Sequence, residues 1–376
     1  MLKRGIQQEI EKRLNKGKII IVTGARQVGK TTLVKQIGKD YPTEYLYLNC
    51  DEPDIRQKLT EATSTVLKNL AGSKKLIIID EAQRVKNIGI TLKLFADELP
   101  EHQVIATGSS ALELSNEVNE PLTGRKFEFN LFPFSIKELA EQFGKLEVHR
   151  LVEERVIFGM YPEVVLKPDD KKILLKEITS SYLFKDIFSY KELRKSDLLE
   201  KLMIALAAQV GSEVSYNELS NTLKADKETI AKYIELLEKA FVIFRLPPFS
   251  RNLRTEITKM RKIYFYDTGI RNALLSNFNI LEKRQDKGAL WENFLISERL
   301  KANLLMGNDA KKYFWRTVQQ QEIDYIEDDG SNLSAYEFTW SKDKKKRISQ
   351  TFLKAYPDCR NEIVNCDNYM AFLNVK

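Results

Sequence analysis

Short apolar runs alternate with amphipathic stretches through the first third of the chain. Runs at 18–23, 44–49, 76–80, 103–107 and 127–131 have the length and the Ile/Val content of buried strands. Between them the apolar spacing is helical, as at Leu33, Val34 and Ile37. Such alternation predicts an α/β fold: a mostly parallel sheet with helices on both faces. Beyond Phe134 the period turns helical, through 138–143, 153–158 and 171–188, with a turn at Gly159 to Glu163. This predicts a helical lid packed on the first region. Helical stretches at 198–209, 215–223 and 227–239 follow, the second opened by a capping box of Ser215 and Glu218. With the apolar alternation at 241–246, their order is that of a winged helix-turn-helix. The last third predicts a strand at 262–267, a helix at 290–300, and strands at 313–316, 322–326 and 335–340. The domains expected are therefore 1–135, 136–195, 196–260 and 261–376, where the usual domain sizes alone suggest two or three for 376 residues.

The turn after the first strand carries the chemistry. Gly24-Ala25-Arg26-Gln27-Val28-Gly29-Lys30-Thr31 fits G-x-x-x-x-G-K-[ST], with Thr32 behind it, a strand before it and an amphipathic helix after it. Glycines let successive N–H groups turn inward around a phosphate, and the helix opening near Gly29 adds the positive end of its dipole. Lys30 would reach the β- and γ-phosphates, and the Thr31 hydroxyl would ligate Mg²⁺. A second apolar run ends in Asp80 and Glu81, the carboxylates that an adjoining parallel strand would deliver to the same phosphates. Asp80 would hold Mg²⁺ through water and Glu81 would polarise an attacking water. The pair favours hydrolysis over transfer to a substrate. The strand at 103–107 runs into Gly108-Ser109-Ser110, so Ser109 or Ser110 would stand beside the γ-phosphate, where a plain polar turn is the alternative. Arg125 in Leu122-Thr123-Gly124-Arg125 is a further cation for γ-phosphate charge, within one subunit or across the interface of an oligomer.

Composition narrows the classes. The hydrophobic share is 43%, and 60 Lys and Arg against 53 acids give net +7 and a pI of about 9.0. That surplus permits a polyanionic partner such as DNA without requiring one. Cys50, Cys359 and Cys366 are too scattered for a disulfide framework, and His102 and His149 are too few for a zinc site. No apolar stretch approaches the roughly 20 residues of a membrane span, and the first residues lack a signal-peptide core, so a cytoplasmic protein is expected.

Two further groups are candidate sites. On the third helix of the helix-turn-helix pattern, Lys227, Thr229, Lys232 and Tyr233 would lie nearest a duplex, although Glu228 and Glu235 on the same helix favour a protein partner instead. In the last third, Glu292 on a helix and Asp324 and Glu337 on strands have the layout of a carboxylate cluster. Converging acids repel unless a metal or another cation joins them, and the alternative is that each faces water.

Taken in order, T-G-A-R-Q-V-G-K-T-T-L, I-I-I-D-E-A-Q, A-T-G-S-S-A, L-T-G-R, F-P-F-S-I-K-E-L, G-M-Y-P-E-V, I-Y-F-Y-D-T-G, F-W-R and E-I-D-Y-I resemble a bacterial and archaeal family of AAA+ superfamily ATPases. Its members carry a C-terminal domain of unknown function similar to the PD-(D/E)xK nuclease fold. The resemblance implies ATP as the nucleotide with Mg²⁺, a winged helix, and a restriction-endonuclease-like end domain. The nuclease pattern is met by Glu292, Asp324 and Glu337, but the lysine of E-x-K is replaced by Thr339. Lys342 or a member of the run Lys344 to Arg347 would have to take its role, and a basic run is usually a solvated face. The expectation is a degenerate nuclease fold that serves as a binding platform on an ATP-driven switch. The alternatives are an ATP-gated, metal-dependent nuclease and a protein-binding adaptor without enzymatic activity.

Overall fold

The computed structural model describes residues 2–108, 121–182, 196–250, 261–342 and 346–375. They form two compact units: Met1–Pro133 with Lys239–Phe241, and Phe134–Glu238 with Val242–Lys376.

The first unit contains α1 (Ile6–Glu11), β1 (Ile19–Thr23), α2 (Lys30–Asp40), β2 (Tyr45–Asn49), α3 (Pro53–Leu59), α4 (Ser64–Ala71), β3 (Leu76–Asp80), α5 (Ile88–Glu98), β4 (Gln103–Gly108) and β5 (Lys126–Asn130). Its sheet has the order β2-β3-β4-β1-β5, and every pairing is parallel. Strands β1, β3 and β4 are buried along their whole length, as continuous apolar runs covered on both faces must be. Ile19, Ile21, Ile77, Ile79, Val104 and Ala106 share one core with Leu67 of α4 and Leu92 and Phe95 of α5. Each Ile, Val, Leu or Phe among them contributes about 1.5–3 kcal/mol when fully buried. The sequence reading took the strands before Gly24 and Asp80 as neighbours. Instead β4 lies between β1 and β3, pairing Ile105 with Ile20 on one side and Ile78 on the other.

The second unit begins with α6 (Ile136–Phe143), whose capping box joins Ser135 and Glu138. Then come α7 (Lys145–Arg150), α8 (Val152–Phe158), α9 (Pro162–Leu166) and α10 (Lys171–Glu177), which passes into a π-helical turn at Ile178–Tyr182. The helix expected over 171–188 therefore changes its winding at Ile178, and 183–188 lie outside the described residues. Next are α11 (Ser196–Ala208), β6 (Glu213–Val214), α12 (Tyr216–Leu223), α13 (Lys227–Lys239), β7 (Ile243–Leu246) and β8 (Arg261–Phe265). These three strands form an antiparallel sheet in the order β6-β8-β7.

The remainder comprises α14 (Thr268–Leu274), α15 (Lys287–Leu305), β9 (Lys311–Arg316), β10 (Glu322–Asp328), β11 (Leu333–Phe338), α16 (Gln350–Ala355), β12 (Arg360–Val364) and α17 (Tyr369–Phe372). Strands β9 to β11 form an antiparallel meander, and β12 returns through α16 to pair parallel with β11. Trp315, Ile323, Ile326, Ala335 and Phe352 fill the space between sheet and helix. β12 was not foreseen. As an edge strand it buries only Val364, so Arg360 to Ile363 carry no apolar run to betray it.

Candidate nucleotide site

The turn between β1 and α2 has the backbone its sequence demands. A Cβ on Gly24 would stand 2.1 Å from the carbonyl oxygen of Leu131, so no side chain fits there. Gly29 caps α2 at φ 97°, in the left-handed region that L side chains resist. Gln27 is left-handed as well, at φ 62°. Lys30, 4% exposed, points back into the loop and donates to the carbonyls of Gly24 and Ala25 at 2.9 and 3.0 Å. Its ammonium and the amino end of α2 thus converge where an anion would sit.

Asp80, at the tip of β3, is 2% exposed and is held by three hydroxyls. Thr31 Oγ1 donates to Oδ2 at 2.8 Å, Tyr47 Oη to Oδ2 at 2.5 Å and Thr107 Oγ1 to Oδ1 at 2.5 Å. Among the described residues it makes no ion pair. The structure therefore brings Thr31 and Asp80 together although β4 lies between β1 and β3, and Thr107 on that intervening strand donates to the same carboxylate. Thr107 also accepts the backbone N–H of Glu81 at 3.0 Å. Glu81 is left-handed at φ 54°, and Gln83 Nε2 donates to its carboxylate at 2.6 Å. The hard oxygen donors of Thr31 and Asp80 fit Mg²⁺, which takes one or two protein ligands and completes its shell with water and phosphate. When bound, Mg²⁺ would neutralise phosphate charge there.

The other sequence candidates are scattered. Ala25, Arg26, Val28 and Thr32 belong to the loop and first turn already described, while Ser109 and Ser110 lie outside the described residues. Arg125 is at the amino edge of the sheet, where its carbonyl accepts the N–H of Ile19, and its guanidinium is held by Asp97 at 2.5 Å. Gly24 follows the opposite end of β1. Five residues at about 3.3 Å each separate the two edges, so the structure does not bring Arg125 to the loop. Sequence reasoning missed Tyr47, Thr107 and Gln83. Thr107 and Tyr47 were absorbed into apolar strands, and a lone hydroxyl at a strand's carboxyl end was the available signal.

In the second unit, Asp324 and Glu337 share one ammonium group, and Glu292 faces another. Lys346 bridges Asp324 and Glu337 at 2.5 Å to each. Lys262, 1% exposed, donates to Glu292 at 3.1 Å and pairs with Glu322. Tyr264 Oη donates to Glu292 at 2.5 Å. Burial, with Asp324 nearby, pushes Glu292 up to about 7 and Glu337 up to about 8, against the attraction of Lys262 and Lys346. Burial alone would lower both lysines, but their carboxylate partners raise them above the ordinary ammonium range. Lys346 thus lies between Asp324 and Glu337, while exposed Lys342 pairs with Asp367 at 2.7 Å. Among the described residues no three His, Cys, Asp or Glu side chains are placed to hold a metal ion. On α13, Tyr233 is 5% exposed and belongs to the core, so it is not available to a duplex as expected, whereas Lys227 and Lys232 are exposed.

A strand-turn-helix phosphate loop, with an acid at a parallel strand tip, defines a P-loop nucleoside triphosphatase fold. Residues 16–140 match the family described as AAA domain, which supports an AAA-type, nucleotide-binding ATPase. Residues 149–280 and 287–372 match two domains of unknown function, DUF8612 and DUF4143. An uncharacterized protein of Methanocaldococcus jannaschii is 26% identical over 96% of this chain and 83% of its own. An uncharacterized protein of Mycobacterium tuberculosis is 27% identical over 95% and 77%. A structure of Drosophila ORC bound to AT-rich DNA and Cdc6 is 11% identical, covers 73% of this chain and 90% of that one, and superposes with a TM-score of 0.27, too low to bear on function. Among the described residues no helix is long and apolar enough to cross a membrane.

Proposed function

We propose that the protein is an ATP-hydrolysing switch of the AAA type. Lys30 and the loop from Gly24 to Thr32 hold the phosphates, Thr31 and Asp80 hold Mg²⁺, and Glu81 activates the attacking water. The observation that carries this reading is the 2.8 Å hydrogen bond from Thr31 to Asp80 beside the inward-turned Lys30. Thr107 aligns Asp80 and the Glu81 backbone together, and Gln83 fixes the Glu81 carboxylate. Arg125, exposed at the far edge, serves as a finger only toward a neighbouring copy. The test is ATP turnover: Glu81→Gln should retain nucleotide and lose hydrolysis, and Lys30→Ala should weaken binding. Parent-like turnover in either variant contradicts the assignment.

The output is assigned to the helix-strand-helix-helix-strand-strand segment from α11 to β8, whose order supports a winged helix. The exposed face of α13 sets Lys227 and Lys232 against Glu228 and Glu235. That face has no charge surplus for a phosphate backbone, so a protein partner is favoured over DNA. Salt titration separates the two, because duplex binding loses about 0.9 log units per log unit of salt for each phosphate neutralised.

Lys346 favours a second reading: a nucleic-acid-cleaving centre at Glu292, Asp324 and Glu337 with its lysine supplied from a different position. Labelled duplex incubated with ATP and Mg²⁺ or Mn²⁺ decides it. Cleavage lost in both Asp324→Ala and Lys346→Ala supports the centre, and an intact duplex with the parent protein removes it.

A further inference from the structure

We infer that Tyr47 is a positioning residue that keeps Asp80 from binding a divalent cation directly, and that it thereby sets the preference of the nucleotide site for Mg²⁺ over Ca²⁺. The inference rests on the ATPase reading and adds the cation specificity of that site. Tyr47, Asp80 and the residues that hold them all belong to the first compact unit.

Sheet register places the phenol. Strands β2 and β3 run parallel, with Tyr47 opposite Ile78 and Asn49 opposite Asp80. Side chains alternate between the two faces of a sheet, so these four residues stand on one face. Tyr47 is two residues short of Asp80 along the strand direction, and the length of a phenol closes that gap: its Oη donates to Asp80 Oδ2 at 2.5 Å. The ring is held as well, because the Lys35 ammonium lies over it, 4.3 Å from the centroid. Lys35 is on α2, the helix that also carries Lys30 and Thr31.

The consequence follows from counting acceptor positions. An ionised carboxylate offers about four, two on each oxygen. On Asp80, Thr31 and Tyr47 take both positions of Oδ2, and Thr107 takes one of Oδ1. Bonds from hydroxyls to a charged acceptor are among the strong ones. A cation that seeks a direct bond to Oδ2 has to break one of them, whereas a water of the cation's own shell can donate to the second position of Oδ1. Thr31 can give a cation its oxygen lone pair and still leave its proton on Asp80.

The two cations differ on this point. Mg²⁺ dehydrates reluctantly and keeps several waters, whereas Ca²⁺ takes about six to eight oxygens and uses carboxylates directly, often through both of their oxygens. An Asp80 with Oδ2 occupied suits the first. Of its three donors, Thr31 is itself the expected ligand and Thr107 also accepts the Glu81 N–H. Tyr47 is the donor whose removal leaves both of those in place.

The experiment compares the parent 376-residue chain with Tyr47→Phe, which removes the hydroxyl and keeps the ring under Lys35. Calorimetric titration with ADP, in Mg²⁺ and in Ca²⁺, gives the ratio of the two affinities. Mn²⁺ bound with ADP in ¹⁷O-enriched water, read by electron paramagnetic resonance, counts the waters left on the cation. In the variant, affinity for ADP in Ca²⁺ should rise several-fold, affinity in Mg²⁺ should change little, and the Mn²⁺ shell should hold one water fewer. An unchanged ratio, a fall of both affinities together included, overturns the role of Tyr47 alone, as do equal water counts in the two proteins. A parent that binds neither ADP nor ATP in Mg²⁺ overturns the ATPase reading and this inference with it.

Discussion

Asp80 and the acids around Lys262 and Lys346 differ in what holds them. Asp80 is surrounded by the hydroxyls of Thr31, Tyr47 and Thr107, neutral donors that orient a carboxylate and bring no counter-charge. Glu292, Asp324 and Glu337 face the ammonium groups of Lys262 and Lys346, which cancel charge on the spot. A buried charge needs a counter-charge. The first arrangement suits a cation that arrives with its phosphates, and the second carries its cations within the chain. The contrast teaches that the partners of a carboxylate say more about its ligand than the carboxylate does.

The largest effect that would break this contrast lies in catalysis. Glu81→Gln should lower ATP turnover by about 10²–10⁴ with nucleotide still bound, as for loss of a general base; steady-state phosphate release alongside ATP binding measures it. In the lysine-held cluster the large effect is on stability. Lys262→Met strips an ammonium from Glu292 and Glu322 in a buried site, and breaking a buried pair costs about 3–5 kcal/mol. Urea unfolding should show that loss, and an unchanged midpoint would mean that the cluster is solvated.

The hydroxyl-held acid should respond more mildly. Thr107→Val removes one neutral donor from Asp80, a change of about 0.5–1.5 kcal/mol in stability, while turnover should fall further because the Glu81 backbone loses its anchor. Smaller still is the exposed pair of Arg125 and Asp97, so Arg125→Ala should shift stability by about 0–1 kcal/mol. If Arg125 serves a neighbouring copy, turnover per chain in the parent should rise with protein concentration and lose that rise in the variant.

The cluster should also respond to pH with a definite sign. Burial holds Glu292 up to about 7 and Glu337 up to about 8, above the ordinary 4.5. Between these limits the folded chain retains protons that the unfolded chain releases, so their contribution to stability falls as pH rises from about 4.5 to about 8 and levels off beyond. Glu337→Gln should flatten that decline in unfolding midpoints measured from pH 5 to 8. An equal decline in variant and parent would remove Glu337 as its source.

Much of the nucleotide site could be read because its signals are local. A Gly-rich turn, one lysine, one threonine and the Asp80-Glu81 pair each sit within a few residues of a strand end, and five parallel strands followed from alternation alone. Strand order is not local, and β4 between β1 and β3 had no signature in hydropathy. With it went Thr107, whose role depends on that insertion. The run Lys344 to Arg347 was in view as a whole, but a basic run reads as a solvated face, and only the fold reveals that Lys346 is the member that meets Asp324 and Glu337. Tyr233 failed in the opposite direction, since an aromatic at helical spacing was read as a groove contact when the core claims it.

The most direct test is calorimetric titration of the folded 376-residue chain with Mg²⁺-ATP, in parallel with Lys30→Ala. The account predicts saturable heat for the parent and a much weaker or absent response for the variant. No heat with the parent, or equal heat with both, would contradict it.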